Sequence, residues 1–219
     1  MAYRAGVLGG SGYAGAELLR LLAGHPEIEV VHVTADSNAG AVVGDLFPGL
    51  IPAYGDLRFA PVDAADLTGL DLLFCALPHG ASQALLPDLL DHVGHAVDLG
   101  ADFRLPPDVY SRWYGEPHNA PAATERFAYG LVELYRDEIA THTHVASPGC
   151  YPTAVSLACA PLLTGARGRA PLDVRAAAEA VAAVSRFAAE HPELAELEVN
   201  PLLVRQQGAV GLDARFVRV

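Results

Sequence analysis

The chain contains no lysine, and all fourteen basic residues among its 219 are arginine. That absence removes a P-loop lysine, a Schiff-base lysine and a lysine general base at once. Cysteine is scarce too. Cys75, Cys150 and Cys159 are too few and too oddly numbered for a disulfide framework, so a reducing cytoplasm is the expected setting. No apolar stretch reaches membrane-spanning length. The N-terminus runs directly into a strand pattern, without the basic segment and cleavage site of a signal peptide. Positive charge is outweighed to a formal net charge of −12, which argues against nucleic acid as a partner.

Apolar residues are plentiful. A hydrophobic fraction of 52% is ample for a core. Strand patterns over 4–8, 29–34, 71–76, 96–99 and 144–146 alternate with helix patterns over 16–23 and 82–90. In the first helix Leu18, Leu19, Leu21 and Leu22 form the expected apolar face. Strands alternating with helices imply a Rossmann-type α/β fold, a doubly wound and mostly parallel sheet. The character changes near Pro161. A basic, turn-rich link over 167–171 leads to Asp173, the expected N-cap of an alanine-rich helix reaching about Glu190. Its apolar stripe is read as Ala177, Val181, Val184 and Ala188. A strand over 196–204, a turn at Gln206-Gln207-Gly208 and a returning strand over 210–213 complete a helix-plus-hairpin appendage.

Two segments carry chemistry. Ser147-Pro148-Gly149-Cys150-Tyr151-Pro152-Thr153 places a cysteine after a Pro-Gly turn and before an apolar run. Gly149 permits a sharp turn and Pro152 suits a helix's first turn, so Cys150 falls at a helix N-terminus. Open N–H groups and the helix dipole there favour a nucleophilic thiolate; the alternative is a buried, inert thiol. The second segment is Gly10-x-Gly12-x-x-Gly15, between a strand and a helix. It reads as a pyrophosphate cradle or as a tight glycine turn. Asp36, about twenty residues further on, suits the ribose 2′-OH of NAD, whereas Ser37 and Asn38 suit a 2′-phosphate. No arginine stands in that stretch.

These segments, with Ser37-Asn38-Ala39-Gly40, Ala76-Leu77-Pro78-His79-Gly80, the run from Asp98 to Leu105 and Tyr129-Gly130-Leu131, resemble N-acetyl-gamma-glutamyl-phosphate reductase over residues 1 to about 160. The resemblance implies an NADP-dependent oxidoreductase of arginine biosynthesis that reduces an acyl phosphate to an aldehyde through a cysteine thioester. Cys150 matches the nucleophile. Gly9, Gly10, Ser11, Gly12, Tyr13, Ala14 and Gly15 match the cofactor turn, Ser37 the ribose end, and Pro78 and His79 a loop near the nicotinamide. Arg104 fits either an anionic substrate or a structural ion pair. Val132 replaces the proline usual after Tyr-Gly-Leu. NADP is the implied cofactor, with NAD kept open by Asp36.

The family's second half, including its catalytic histidine, has no counterpart here. After Cys150 the sequence holds one histidine, His191. His79 or His118 would have to serve instead, although His118 reads as a substrate-loop residue and His142 and His144 as structural. Residues 161–219 instead resemble the C-terminal end of an ATP-grasp acyl-CoA synthetase of the NDP-forming kind. Asn200 and Asp213 match its Mg²⁺ ligands, but without the remaining site no metal is expected. The expected organisation is therefore a chimera, with a dinucleotide-binding reductase domain over 1–160 and an ATP-grasp-like fragment over 161–219. The alternatives are a non-catalytic dinucleotide-binding module, subunit-forming through an exposed sheet edge, and an accessory piece acting in trans. A small acyl phosphate and a second copy of the chain are the expected partners.

Overall fold

The computed structural model describes residues 2–218 apart from Ala64, Ala166, Arg167 and Arg169. Arg167 and Arg169 of the basic link thus lie outside the described residues. The chain divides into two compact units, Met1–Cys150 and Tyr151–Val219.

The first unit runs β1 (Tyr3–Leu8), α1 (Tyr13–Leu22), β2 (Ile28–Val33), α2 (Val43–Leu46), α3 (Ile51–Tyr54), β3 (Leu72–Cys75), α4 (Ala81–Leu89), β4 (His95–Asp98), α5 (Pro107–Tyr114), α6 (Pro121–Thr124), β5 (Phe127–Tyr129), α7 (Val132–Ile139) and β6 (His144–Ala146). The strands form one six-stranded sheet in the order β2-β1-β3-β4-β6-β5, and every pairing is parallel. Parallel pairing needs crossover connections, and these place helices over both faces. Two apolar layers result. Val7, Leu19, Leu22, Val33, Val43 and Phe59 pack on one side. Leu8, Leu73, Leu86, Leu89, Phe103 and Phe127 pack on the other. Neighbouring residues Val7 and Leu8 feed opposite layers because strand side chains alternate faces.

Two details of α1 differ from the sequence expectation. The helix begins at Tyr13 rather than Ala16, so its open N–H groups lie within the glycine segment itself. Leu21 is 58% exposed, because a period of 3.6 carries it off the face shared by Leu18, Leu19 and Leu22.

The second unit contains α8 (Cys150–Leu163), which starts at its boundary, then α9 (Val174–Glu190), β7 (Leu194–Val199), β8 (Leu202–Val204), β9 (Ala209–Gly211) and β10 (Ala214–Arg218). Asp173 is the N-cap of α9, as expected, and its Oδ1 accepts the Ala176 N–H at 2.9 Å. Its Oδ2 accepts the Gly208 N–H at 2.9 Å, tying the helix start to the β8–β9 turn. Those two bonds hold the Asp173 carboxyl below its ordinary pKa, Gly208 having the larger effect. The expected apolar stripe is corrected: Val181 is 63% exposed and Ala188 is also exposed, while Ala176, Ala177, Ala180 and Val184 are partly covered. The expected strand over 196–204 is interrupted at the cis Asn200–Pro201 peptide, where proline has no N–H to offer a ladder. The hairpin is therefore two-tiered, with β8 against β9 and β7 against β10, both antiparallel.

Candidate functional site

Parallel strands put all their carboxyl ends on one edge, and the order reverses beside β1, whose neighbours are β2 and β3. Ligands of open α/β sheets bind in the crevice at such a reversal. The glycine turn follows β1 at this point. Gly9 adopts φ +72°, and a Cβ there would run into the Ala76 carbonyl oxygen. At Gly15 a Cβ would lie 2.7 Å from the Gly10 Cα, so the helix packs on the turn only because this position is bare. Gly12 differs: an added Cβ would meet only the Gly9 oxygen, at 3.5 Å. The space above Gly12 is open, and as N-cap of α1 it supplies no side-chain hydrogen bond to the helix. The first-turn N–H groups of α1 thus face an uncapped, side-chain-free cradle suited to a pyrophosphate. The turn is anchored by Gly10 N–H donating to the Thr34 carbonyl at 2.9 Å. Tyr13 is fully exposed beside it. The residues present fit a dinucleotide.

Ser37 and Asp36 are both exposed immediately beyond β2. Pro78 and His79 follow β3 on the loop into α4. That loop is fixed by Asp102, which is fully buried. Its Oδ1 accepts the Gly80 N–H at 2.9 Å and its Oδ2 the Gln83 N–H at 3.2 Å. A carboxylate thus caps α4 from about twenty residues away. The sequence carried no local signal for this role, because the cap and the helix are not neighbours along the chain.

His79 is stacked on Tyr110 and on Tyr114, with ring centroids 5.7 and 4.6 Å away. A chain of hydrogen bonds leads to it. The Asn119 N–H donates to Gln83 Oε1 at 2.6 Å, which fixes the amide. Gln83 Nε2 then donates to the Tyr110 hydroxyl at 2.7 Å. The Tyr110 hydroxyl lies 3.0 Å from His79 Nε2, and His79 Nδ1 faces Asp102 Oδ1 at 3.4 Å. Glu116 Oε1 also stands 3.4 Å from Nε2. His118 is committed as well. Its Nδ1 accepts the Ala120 N–H at 3.0 Å, so Nε2 donates to the Asp102 carbonyl at 2.7 Å. His118 spends both ring nitrogens on structure, and those of His79 face protein groups.

Behind β4 lies a buried polar cluster. Asp98 Oδ1 accepts from Ser82 Oγ at 2.8 Å and from the Gly100 N–H at 3.1 Å, while Oδ2 has no hydrogen-bond partner among the described residues. Burial raises its pKa, opposed by those two bonds. Burial first and Asp98 second push the neighbouring Cys75 thiol well above its ordinary value. The Asp98 carbonyl accepts the Ser147 N–H at 2.8 Å. Arg104 secures the same segment, Nε donating to the Ser147 carbonyl at 2.6 Å and Nη2 to the Leu99 carbonyl at 2.8 Å. The structural alternative for Arg104 thus has a concrete form, two main-chain carbonyls rather than an ion pair.

Cys150 is the first residue of α8 and is exposed, while Cys75 is buried. The turn residues 9–15, Ser37, Pro78, His79, Arg104 and the segment leading to Cys150 therefore all follow carboxyl ends of strands in one sheet. His144 is buried, its Nδ1 accepting the Ala96 N–H at 3.2 Å. Burial lowers its pKa to about 4. His142 is half-buried and precedes β6 rather than alternating with His144 on that strand. Asn200 and Asp213 belong to the second unit. The Asn200 N–H donates to the Asp213 carbonyl at 3.0 Å, and Asn200 Nδ2 donates to Glu198 at 3.0 Å. Among the described residues no group of three or more His, Cys, Asp or Glu side chains could hold a metal ion.

A six-stranded parallel sheet reversing at β1, with a bare glycine cradle at that reversal, defines a Rossmann-type dinucleotide-binding domain. Comparison with known proteins narrows the class. Residues 4–142 match the family described as semialdehyde dehydrogenase, NAD binding domain, and the chain belongs to that family. Residues 130–217 match the ATP-grasp domain family, so the tail is similar to that domain. N-acetyl-gamma-glutamyl-phosphate reductase of Pseudomonas aeruginosa is 47% identical over 161 residues, 73% of this chain and 47% of that protein. The enzyme of the same name from Azotobacter vinelandii is 46% identical over the same shares. The chain spans about half the length of these curated relatives. Among solved structures, aspartate semialdehyde dehydrogenase of Francisella tularensis shares the fold at TM-score 0.53 and 17% identity, covering 74% of this chain and 41% of that one. The NADP complex of the Candida albicans enzyme does so at TM-score 0.50 and 16% identity, covering 79% and 49%.

Proposed function

We propose that this chain carries the cofactor-binding and nucleophilic half of an NADP-dependent acyl-phosphate reductase, acting between N-acetyl-glutamyl phosphate and N-acetyl-glutamate semialdehyde. The observation that carries this is the common edge shared by the open Gly12 cradle and the loop that ends on exposed Cys150. The relatives' names supply the substrate. In this reading residues 9–15, Ser37, Pro78 and His79 hold the dinucleotide, and Asp36 keeps NAD as an alternative. Arg104 keeps Ser147 and the cysteine loop in place and is the cation that meets the anionic substrate. The functional division is 1–160 for reductase chemistry and 161–219 for the ATP-grasp-like fragment, in which Asn200 and Asp213 hold no metal. A soluble cytoplasmic enzyme that self-associates fits the reading.

The Cys150 thiolate attacks the acyl carbon, the carbon–oxygen bond to phosphate breaks, and inorganic phosphate leaves. The cofactor, when bound, supplies a hydride. Cys150 is expelled as the thiolate when the aldehyde carbonyl forms. Because His118 has both ring nitrogens committed and His79 is enclosed by Tyr110, Asp102 and Glu116, neither is well placed to shuttle protons, and turnover by this chain alone is expected to be slow. That same observation favours a second reading, a dinucleotide-binding module without turnover.

The test runs the reaction backwards, with N-acetyl-glutamate semialdehyde, NADP and phosphate, following NADPH formation. Turnover lost in Cys150→Ser with cofactor binding intact supports the reductase. Cofactor binding with no turnover in the parent protein selects the module. Absence of any dinucleotide binding rejects both.

A further inference from the structure

Resting on the dinucleotide reading above, we infer that Arg58 is the residue that selects NADP over NAD, by holding the 2′-phosphate of the adenosine ribose. The loop that must meet that ribose is 36–40, directly after β2. In sequence it contains no arginine and begins with an aspartate, a combination that favours NAD. The fold alters this. The segment 57–60 returns alongside the loop and is bound to it at several points. The Val43 N–H donates to the Leu57 carbonyl at 2.8 Å, the Phe59 N–H to the Ala41 carbonyl at 2.9 Å, and the Gly40 N–H to the Phe59 carbonyl at 2.7 Å. Further on, the Ala35 N–H donates to the Ala60 carbonyl at 3.0 Å. Arg58 sits within this ribbon, bridged to Val42, and its Nη1 donates to the Gly40 carbonyl at 3.0 Å.

The guanidinium is thereby fixed at the end of the 36–40 loop, while Arg58 remains exposed. The ion pairs of the described residues do not include it. The loop itself is folded by the Ala39 N–H donating to the Asp36 carbonyl at 3.2 Å, and by the Ala41 N–H donating to the Asn38 carbonyl at 3.1 Å. The anchored guanidinium is therefore held at the end of the same short turn that carries Asp36 and Ser37. A phosphate dianion approaching a protein of net charge −12 needs a local cation, and a guanidinium with one donor pinned still presents others to phosphate oxygens. Asp36 is the opposing charge. Arg58 and Asp36 together set the preference, with Ser37 and Asn38 adding hydroxyl and amide contacts.

The test is a fluorescence or calorimetric titration of the full chain with NADPH, NADH and 2′,5′-ADP. Arg58→Ala is expected to weaken NADPH and 2′,5′-ADP by about ten- to hundredfold and to leave NADH within about threefold. Arg58→Lys recovers part of the loss, because a point charge cannot reproduce the fork. Asp36→Ala shifts the ratio further toward NADPH. The NADPH preference also falls with added salt, because the site is exposed. NADPH binding that is unmoved in Arg58→Ala, or weakening of NADPH and NADH by equal factors, overturns this inference and leaves the dinucleotide reading standing. Binding of neither dinucleotide by the parent protein overturns both.

Discussion

Replacing Gly12 and Gly15 separately by alanine should split two properties that the glycine motif ordinarily confounds. At Gly12 the backbone is at φ −79°, ψ 168°, a conformation alanine adopts freely. The new methyl meets nothing closer than 3.5 Å. Restricting the unfolded chain contributes about 0.4–1 kcal/mol of stability. Alanine is a poorer N-cap than glycine, and that costs about 0.5 kcal/mol. The two nearly cancel, so the melting temperature should move by no more than about 2 °C. Yet the methyl fills the cradle that the pyrophosphate would enter, and a dinucleotide displaced there loses about 1–3 kcal/mol, roughly 5- to 150-fold in Kd. At Gly15 the methyl is driven into the backbone of Gly9 and Gly10, and no side-chain rotation relieves it. Overpacking of this kind costs about 1–3 kcal/mol, or roughly 2–12 °C of melting temperature, together with loss of cofactor affinity. Thermal melting and NADPH fluorescence titration read the two effects independently. Gly12→Ala melting well below the parent, or binding NADPH undiminished, would refute the reasoning about the cradle.

The remaining predictions concern the thiols, a buried histidine and Arg104. Iodoacetamide should label exposed Cys150 in the native protein and spare Cys75 until unfolding, because burial both occludes Cys75 and raises its pKa; mass spectrometry of the labelled peptides checks this, and early labelling of Cys75 would contradict it. His144 has a folded pKa lowered to about 4, so above the ordinary imidazole range it is neutral in both states and costs nothing. As pH falls below about 6.5 the unfolded state binds a proton that the folded state refuses, and stability drops by about 3 kcal/mol by pH 4. His144→Asn, which keeps an acceptor for the Ala96 N–H, should flatten that part of the denaturation-versus-pH curve, and an unchanged slope would show that His144 is not its source. Arg104→Lys cannot bridge the Leu99 and Ser147 carbonyls together and should destabilise by about 2–3 kcal/mol. Urea melts should show that loss, and amide exchange at Ser147 should quicken; unaltered exchange would remove Arg104 from its anchoring role.

The parts of the fold legible in the sequence are those whose pattern is local. The β1–turn–α1 unit announces itself by an apolar run, glycines and a 3.6-residue period, and α9 by Asp173 ahead of alanine-rich sequence. The segment between Arg104 and Thr143 was less readable. Its helices are short, and Phe127–Tyr129 becomes a strand only because it pairs with β6. The site divides in the same way. Cys150 and the glycine turn stand in contiguous motifs. Asp102, Gln83, Tyr110 and Arg58 act on partners 18 to 36 residues away, and no local spacing marks such roles. Val181 was misassigned to the α9 stripe because in a helix built largely of alanine almost any phase yields an apolar line.

The strand order has a consequence for how the molecule is made. β5 is synthesised before β6 but lies outside it, at the edge of the sheet. During translation Phe127–Tyr129 has no neighbour to pair with until His144–Ala146 emerges, about one to three seconds later at ordinary elongation rates. The final insertion places β6 between β4 and β5, and Cys150 follows four residues behind. Cys150 therefore takes up its position only after the last seam of the sheet has closed, so no nascent chain that stops short of that seam carries a formed cysteine loop.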